Sequence, residues 1–206
     1  MKIIQTSLIS LLLFLSAGCA WVSRNYYFES SVKNNEWSDE FRPLEHGSKN
    51  PCPATVVFSY TDNLMKLDFD ISYENPTCWS PLLIPVIPAP GQFFSSLCVD
   101  VTIKANETVS FDPYSWTITD VSNQTVYTPS SITVWDSMTF MPPPLPNPLQ
   151  KGNEVEFTVK FPVKIKDIET LRISFGPFSG SGREVVPPAL LLKKTKGDLQ
   201  YYQFTL

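Results

Sequence analysis

The chain has 206 residues, with 16 Lys and Arg against 20 Asp and Glu, one histidine and a formal net charge of −4. That balance excludes a basic nucleic-acid surface, and a single histidine leaves little for a zinc site or for histidine-dependent nucleophilic catalysis. At this length one domain around one core is expected.

The first element is a lone Lys2 followed by the apolar stretch Leu8-Ile9-Ser10-Leu11-Leu12-Leu13-Phe14-Leu15, too short to span a bilayer, and then Leu15-Ser16-Ala17-Gly18-Cys19. A basic start, an apolar middle and small residues ahead of a cut mark a secretory signal. The run through Cys19 resembles the lipobox of bacterial lipoproteins, with Ser16 where leucine is common in that family and Leu15 one place earlier. The resemblance covers only this N-terminal segment. It implies that residues 1–18 are removed as a signal peptide, that the Cys19 thiol is lipidated, and that the acylated cysteine (palmitate among its chains) begins the mature protein. Ala20, rather than aspartate, follows the cysteine, which in that family implies the outer membrane, facing the periplasm or the surface. Each acyl methylene buried in lipid contributes roughly 0.8 kcal/mol, so several chains together hold a protein stably. The bland alternative is an ordinary secretory signal cut near Gly18 or Ala20.

Cysteine parity bears on that choice. Cys19, Cys52, Cys78 and Cys98 are the only cysteines. Lipidation of Cys19 leaves three, an odd number for an oxidising compartment, whereas a secreted, unlipidated chain could form two disulfides. Cys52 and Cys78 flank two strand-like segments joined by a tight turn, so they are the expected disulfide pair. Cys98 alternates out of phase with Leu97, Val99, Val101 and Ile103, which places it off the core, and it remains a candidate partner for either.

After the anchor comes Trp21-Val22-Ser23-Arg24-Asn25-Tyr26-Tyr27-Phe28. Tryptophan and tyrosine favour the membrane interface, so residues 19–50 read as a lipidated N-terminus and membrane-proximal arm, or else as an N-terminal strand of the following domain. A short helical turn is possible at Asn35 to Phe41. Residues 51–206 are dominated by period-two alternation, the mark of half-buried strands. It appears in Lys66 to Tyr73, with Leu67, Phe69, Ile71 and Tyr73 on one face, and in Val99 to Lys104, Tyr114 to Thr119, Val155 to Phe161 and Leu171 to Phe175. Turn-forming residues at 61–63, 104–107, 120–123, 151–153 and 195–198 separate the strands. The fold expected is all-β, a single antiparallel β-sandwich of immunoglobulin-like type.

Nineteen prolines dictate where that sandwich is interrupted, because proline donates no ladder hydrogen bond. The uncharged stretch Trp79 to Pro90, with Leu82, Leu83 and Ile84, and the polyproline-like Met141 to Pro148 are either exposed apolar loops that touch a partner protein or lipid, or caps over the open end of the core. The first is the better interaction candidate. Trp135 is a second, since it alternates out of phase with Ile132 and Val134 and could present an aromatic platform to a sugar or a partner. Trp116, in phase with Tyr114 and Ile118, reads as core.

Catalytic signals are weak. His46 lies in the polar loop Glu45 to Lys49, no Gly-x-Ser-x-Gly elbow exists, and the glycine-rich 176–183 lacks the lysine of a phosphate loop. Asp68 and Asp70 share a strand face about 6–7 Å apart by strand rise, a separation compatible with paired carboxylates in glycoside hydrolysis, although solvation is the simpler role. Asn106-Glu107-Thr108 and Asn123-Gln124-Thr125 have the form of glycosylation sequons, meaningful only in a eukaryotic secreted chain.

These features describe a non-enzymatic, membrane-anchored envelope lipoprotein that binds or scaffolds another envelope protein, with no cofactor, no metal and no nucleic acid. The alternatives are a carbohydrate or peptidoglycan binding module using Trp135 or Trp79, a secreted disulfide-bonded β domain, and a hydrolase built on Asp68 and Asp70.

Overall fold

Alternating apolar and polar residues make strands, and strands occupy most of the described chain. The computed structural model describes residues 20–31, 36–42, 55–79, 85–87, 96–134 and 144–203, with side chains over 26–31, 36–42, 55–71, 96–134 and 144–197. In chain order the strands are β1 (Ala20–Ser30), β2 (Trp37–Arg42), β3 (Thr55–Thr61), β4 (Met65–Asp70), β5 (Ser72–Trp79) and β6 (Pro85–Ile87). There follow β7 (Ser96–Ala105), β8 (Ser110–Phe111), β9 (Thr117–Asp120), β10 (Thr125–Tyr127) and β11 (Ser131–Val134). The last are β12 (Glu154–Lys164), β13 (Thr170–Ser174), β14 (Phe178–Gly180), β15 (Arg183–Val185) and β16 (Leu190–Gln203).

These strands form a seven-stranded sheet in the order β10-β9-β13-β16-β1-β5-β6, a six-stranded sheet in the order β11-β12-β7-β4-β3-β2, and a three-stranded sheet in the order β15-β14-β8. The pairings are antiparallel. The protein is therefore all-β with several antiparallel sheets. No helix among the described residues is long and apolar enough to cross a membrane.

One hydrophobic cluster draws on both large sheets: Leu67, Phe69, Val101 and Phe157 from the six-stranded one, Phe28, Ile118, Ile173 and Leu192 from the seven-stranded one. The alternation is most regular in β12, where Val155, Phe157, Val159, Phe161 and Val163 are buried and their odd-phase neighbours are not. Trp116, fully buried, packs against Phe157, Phe175 and Phe178 with ring centroids 5.9, 5.0 and 6.3 Å away. Each large side chain so buried contributes roughly 1.5–3 kcal/mol. Gly176 permits this packing, since a Cβ there would lie 1.8 Å from Ser115 Oγ. Trp37 closes another part of the core, with its Nε1 donating to Pro188 O at 2.9 Å and its ring 5.4 Å from Phe69 and Phe175.

Four local expectations change. The alternation from Lys66 to Tyr73 is not one strand: β4 stops at Asp70, Ile71 is buried at the junction, and β5 continues in the other large sheet. Tyr114 does not begin a strand, because Asp112 accepts from Tyr114 N at 3.0 Å and caps a 3-10 turn at Pro113–Ser115, leaving Tyr114 exposed. The turn-rich 195–198 lies inside β16, where Gly197 and Asp198 face the single residue Asn25 and make a bulge rather than a reversal. Within Asn35 to Phe41, residues 37–41 are strand, paired with β3. Residues 20–30 and 37–42, read from the sequence as an arm or else as an N-terminal strand of the domain, supply a strand to each large sheet.

Candidate functional site

Apart from the buried Val57, the outward positions considered in the six-stranded sheet are polar, and register decides which of them meet. One row across the strands reads Glu40, Val57, Asp70, Asp100 and Thr158; the next reads Ser38, Ser59, Asp68, Thr102 and Glu156. A third carries Lys66, Lys104 and Glu154. Four carboxylates from three adjacent strands thus converge. They line a concavity of about 310 Å³ together with Arg42 at its edge.

Each carboxylate is held differently. Asp70 stands directly opposite Asp100, a like-charge pairing that disfavours double ionisation. Burial first, and then the Asp100 charge, raise the Asp70 pKa from 3.8 to about 7, with Arg42 acting in the opposite direction. Asp100 Oδ1 accepts from the Thr158 hydroxyl across the strand pair. Asp68 is ion-paired to Lys66 Nζ at 2.6 Å, while its Oδ1 is buried without a hydrogen-bond partner. The concavity therefore contains a carboxyl group that binds a proton near neutrality beside a partnered carboxylate. Among the described residues, no group of three His, Cys, Asp or Glu is arranged to hold a metal ion.

Cys98 lies on this same face, half-buried and free, opposite Lys160. Its thiol pKa is pushed up by burial and by Asp100, against the pull of Lys160, so it is a poor nucleophile.

A second cavity, about 340 Å³, is lined by Phe111, Pro113, Tyr114, Ile132, Val134, Leu145 and Asn147 among others. Its wall is fixed by Asn147, whose Nδ2 donates to Phe111 O at 2.9 Å and whose Oδ1 accepts from Phe111 N at 3.3 Å.

The sequence pointed to Asp68 and Asp70, and the structure adds Asp100, Glu156 and Arg42. Asp100 and Glu156 sat in visible alternating segments and Arg42 beside a stretch read as a possible helical turn, but their proximity depends on strand order, which alternation does not encode. Of the residues singled out for anchoring and interaction, Cys78 and Trp79 lie on β5, in register with Trp21 and Ala20 of β1. Cys19, Cys52, Leu82, Leu83, Ile84 and Trp135 lie outside the described residues, as does His46.

No family model, no curated protein and no solved structure matches this chain.

Proposed function

We propose that this protein is a lipid-anchored lipoprotein of the outer membrane whose two large sheets form a single immunoglobulin-like β-sandwich, and that it binds or scaffolds another envelope protein without catalysing a reaction. The reading is carried by the sequence through Cys19. It is supported by the position of β1, which begins at Ala20 and lies between β16 and β5. A lipid on Cys19 would then be attached directly to an interior strand rather than to a polar tether. Trp79, Leu82, Leu83, Ile84 and Trp135 remain the proposed contacts for the partner, and Cys52 with Cys78 the proposed disulfide. Intact mass of the membrane-fractionated protein tests the reading. A species beginning at Cys19 and carrying acyl chains, lost in Cys19→Ala, is expected; a soluble, unacylated species would instead favour a secreted domain with paired cysteines.

A second reading has its own observation. Tyr114, 57% exposed, stands at the second cavity beside Asp112 and Asn147, an aromatic and polar combination suited to stacking on a sugar. As a carbohydrate-binding module the protein would lose glycan binding on Tyr114→Ala or Trp135→Ala with its melting temperature unchanged.

A further inference from the structure

Ala20 pairs on one side with Gln203 and on the other with Trp79; Trp21 pairs with Tyr202 and with Cys78; Val22 pairs with Tyr201 and Thr77. Beyond β5, Cys78 and Trp79 pair with Ile87 and Pro85 of the edge strand β6. The outermost described rungs of four neighbouring strands therefore lie side by side, and two tryptophans and two tyrosines occupy register positions in them at one end of the seven-stranded sheet. Strands about 4.8 Å apart make this rim roughly 14 Å wide.

The rim carries no charge. Residues 20–23, 76–79, 85–87 and 200–203 contain no Asp, Glu, Lys, Arg or His, in a chain whose residues are 17% charged. Charge begins one rung further in, with Arg24 opposite Asn75 and Leu199, followed by Glu74 opposite Asn25 and Lys196 opposite Tyr26. Such a profile, aromatic and uncharged at the end and charged immediately behind it, matches the depth profile of a bilayer interface, where aromatic rings are stabilised and ionised groups are held in water.

We propose that this rim is a lipid-docking surface that seats the sheet end-on against the bilayer. The inference rests on lipidation of Cys19. A diacylated cysteine has its thioether at the headgroup level, and Trp21 follows two residues later, at most about 7 Å away along an extended chain. With no tether between lipid and strand, the ends of β1, β5, β6 and β16 are brought to the headgroups together. The partner is the lipid surface itself, and the rim fixes the orientation in which the rest of the molecule faces its envelope partner.

The test uses the mature protein reconstituted into phosphatidylethanolamine and phosphatidylglycerol vesicles containing lipids brominated near the top of the acyl chain. Tryptophan fluorescence is compared with that on unbrominated vesicles, with intact mass measured on the same preparation. Quenching of the native protein, abolished in Trp21→Phe/Trp79→Phe, is the expected result; near-ultraviolet dichroism controls for folding. A charged variant, Trp79→Glu, provides a second readout and should lose quenching while remaining acylated. An acylated protein that is not quenched, or is quenched equally in the double Phe variant, overturns the rim while leaving the anchor, and assigns the aromatic end to a protein partner instead. An unacylated protein overturns the anchor and the proposal with it.

Discussion

The outer face of the six-stranded sheet and the β16-β1-β5-β6 end of the seven-stranded sheet come from the same antiparallel ladders and opposite use of charge. The first gathers Asp68, Asp70, Asp100 and Glu156 into one concavity; the second has no charged residue in its terminal rungs. Two aspartates make the difference concrete. Asp120, in the seven-stranded sheet, is buried with Oδ1 accepting from Ser122 N at 2.9 Å and Oδ2 from Asn123 Nδ2 at 2.8 Å. Asp70, in the six-stranded sheet, faces another carboxylate and holds a proton near neutral pH. The same side chain accepts from local donors in one sheet and, where burial and then an opposing acid act on it, takes up a proton near neutrality in the other. Strand phase decides whether a residue leaves the core, but the neighbouring strand decides its chemistry.

The contrast depends on the two sheets sharing one core, and the largest prediction tests that. Trp116→Ala should cost about 3–5 kcal/mol, with fluorescence and far-ultraviolet dichroism following a single denaturant transition; two separated transitions would show that the faces belong to independently folding layers. Next is Asp70→Asn. Because the folded pKa of about 7 lies above 3.8, the native state retains a proton that the unfolded chain releases between these values. Its contribution therefore favours folding most at low pH and is lost as pH rises through about 7. The Asn variant should gain up to about 4 kcal/mol at about pH 8 and show a flatter stability profile from about pH 4 to 7. Asp120→Ala should do the reverse, costing about 1–2 kcal/mol at neutral pH by leaving two donors unpaired; a stabilising result would make the two aspartates equivalent. Lys66→Ala is the smallest, under about 1 kcal/mol, since its ion pair with Asp68 is partly exposed and screened by salt.

Much of the strand content was legible because apolar and polar residues alternate with little interruption in β4, β7, β12 and β13. The break at Ile71 was not, since a chain that changes sheets can keep its alternation on both sides of the junction. Turn chemistry misled at 195–198, where Gly197 and Asp198 serve a bulge, and at Tyr114, where Asp112 caps a turn that alternation reads as strand. The acid pair Asp68 and Asp70 was visible from its spacing, whereas Asp100 and Glu156 joined it only through pairings between strands far apart in sequence. The tyrosines at 201 and 202 drew no notice for the same reason: their importance comes from lying opposite Trp21 and Val22.

The placement of β1 also governs how the molecule would bear load. A pull on a lipid at Cys19 would enter an eleven-residue strand flanked on both sides by antiparallel partners, with tension directed along the strand and across its hydrogen bonds. Those bonds would be loaded together in shear rather than opened one after another. If Cys19 is acylated as proposed, dragging the protein from a membrane should extract the acyl chains before it draws β1 out of the sheet, and the proposed anchor, not the fold, would be the mechanical fuse.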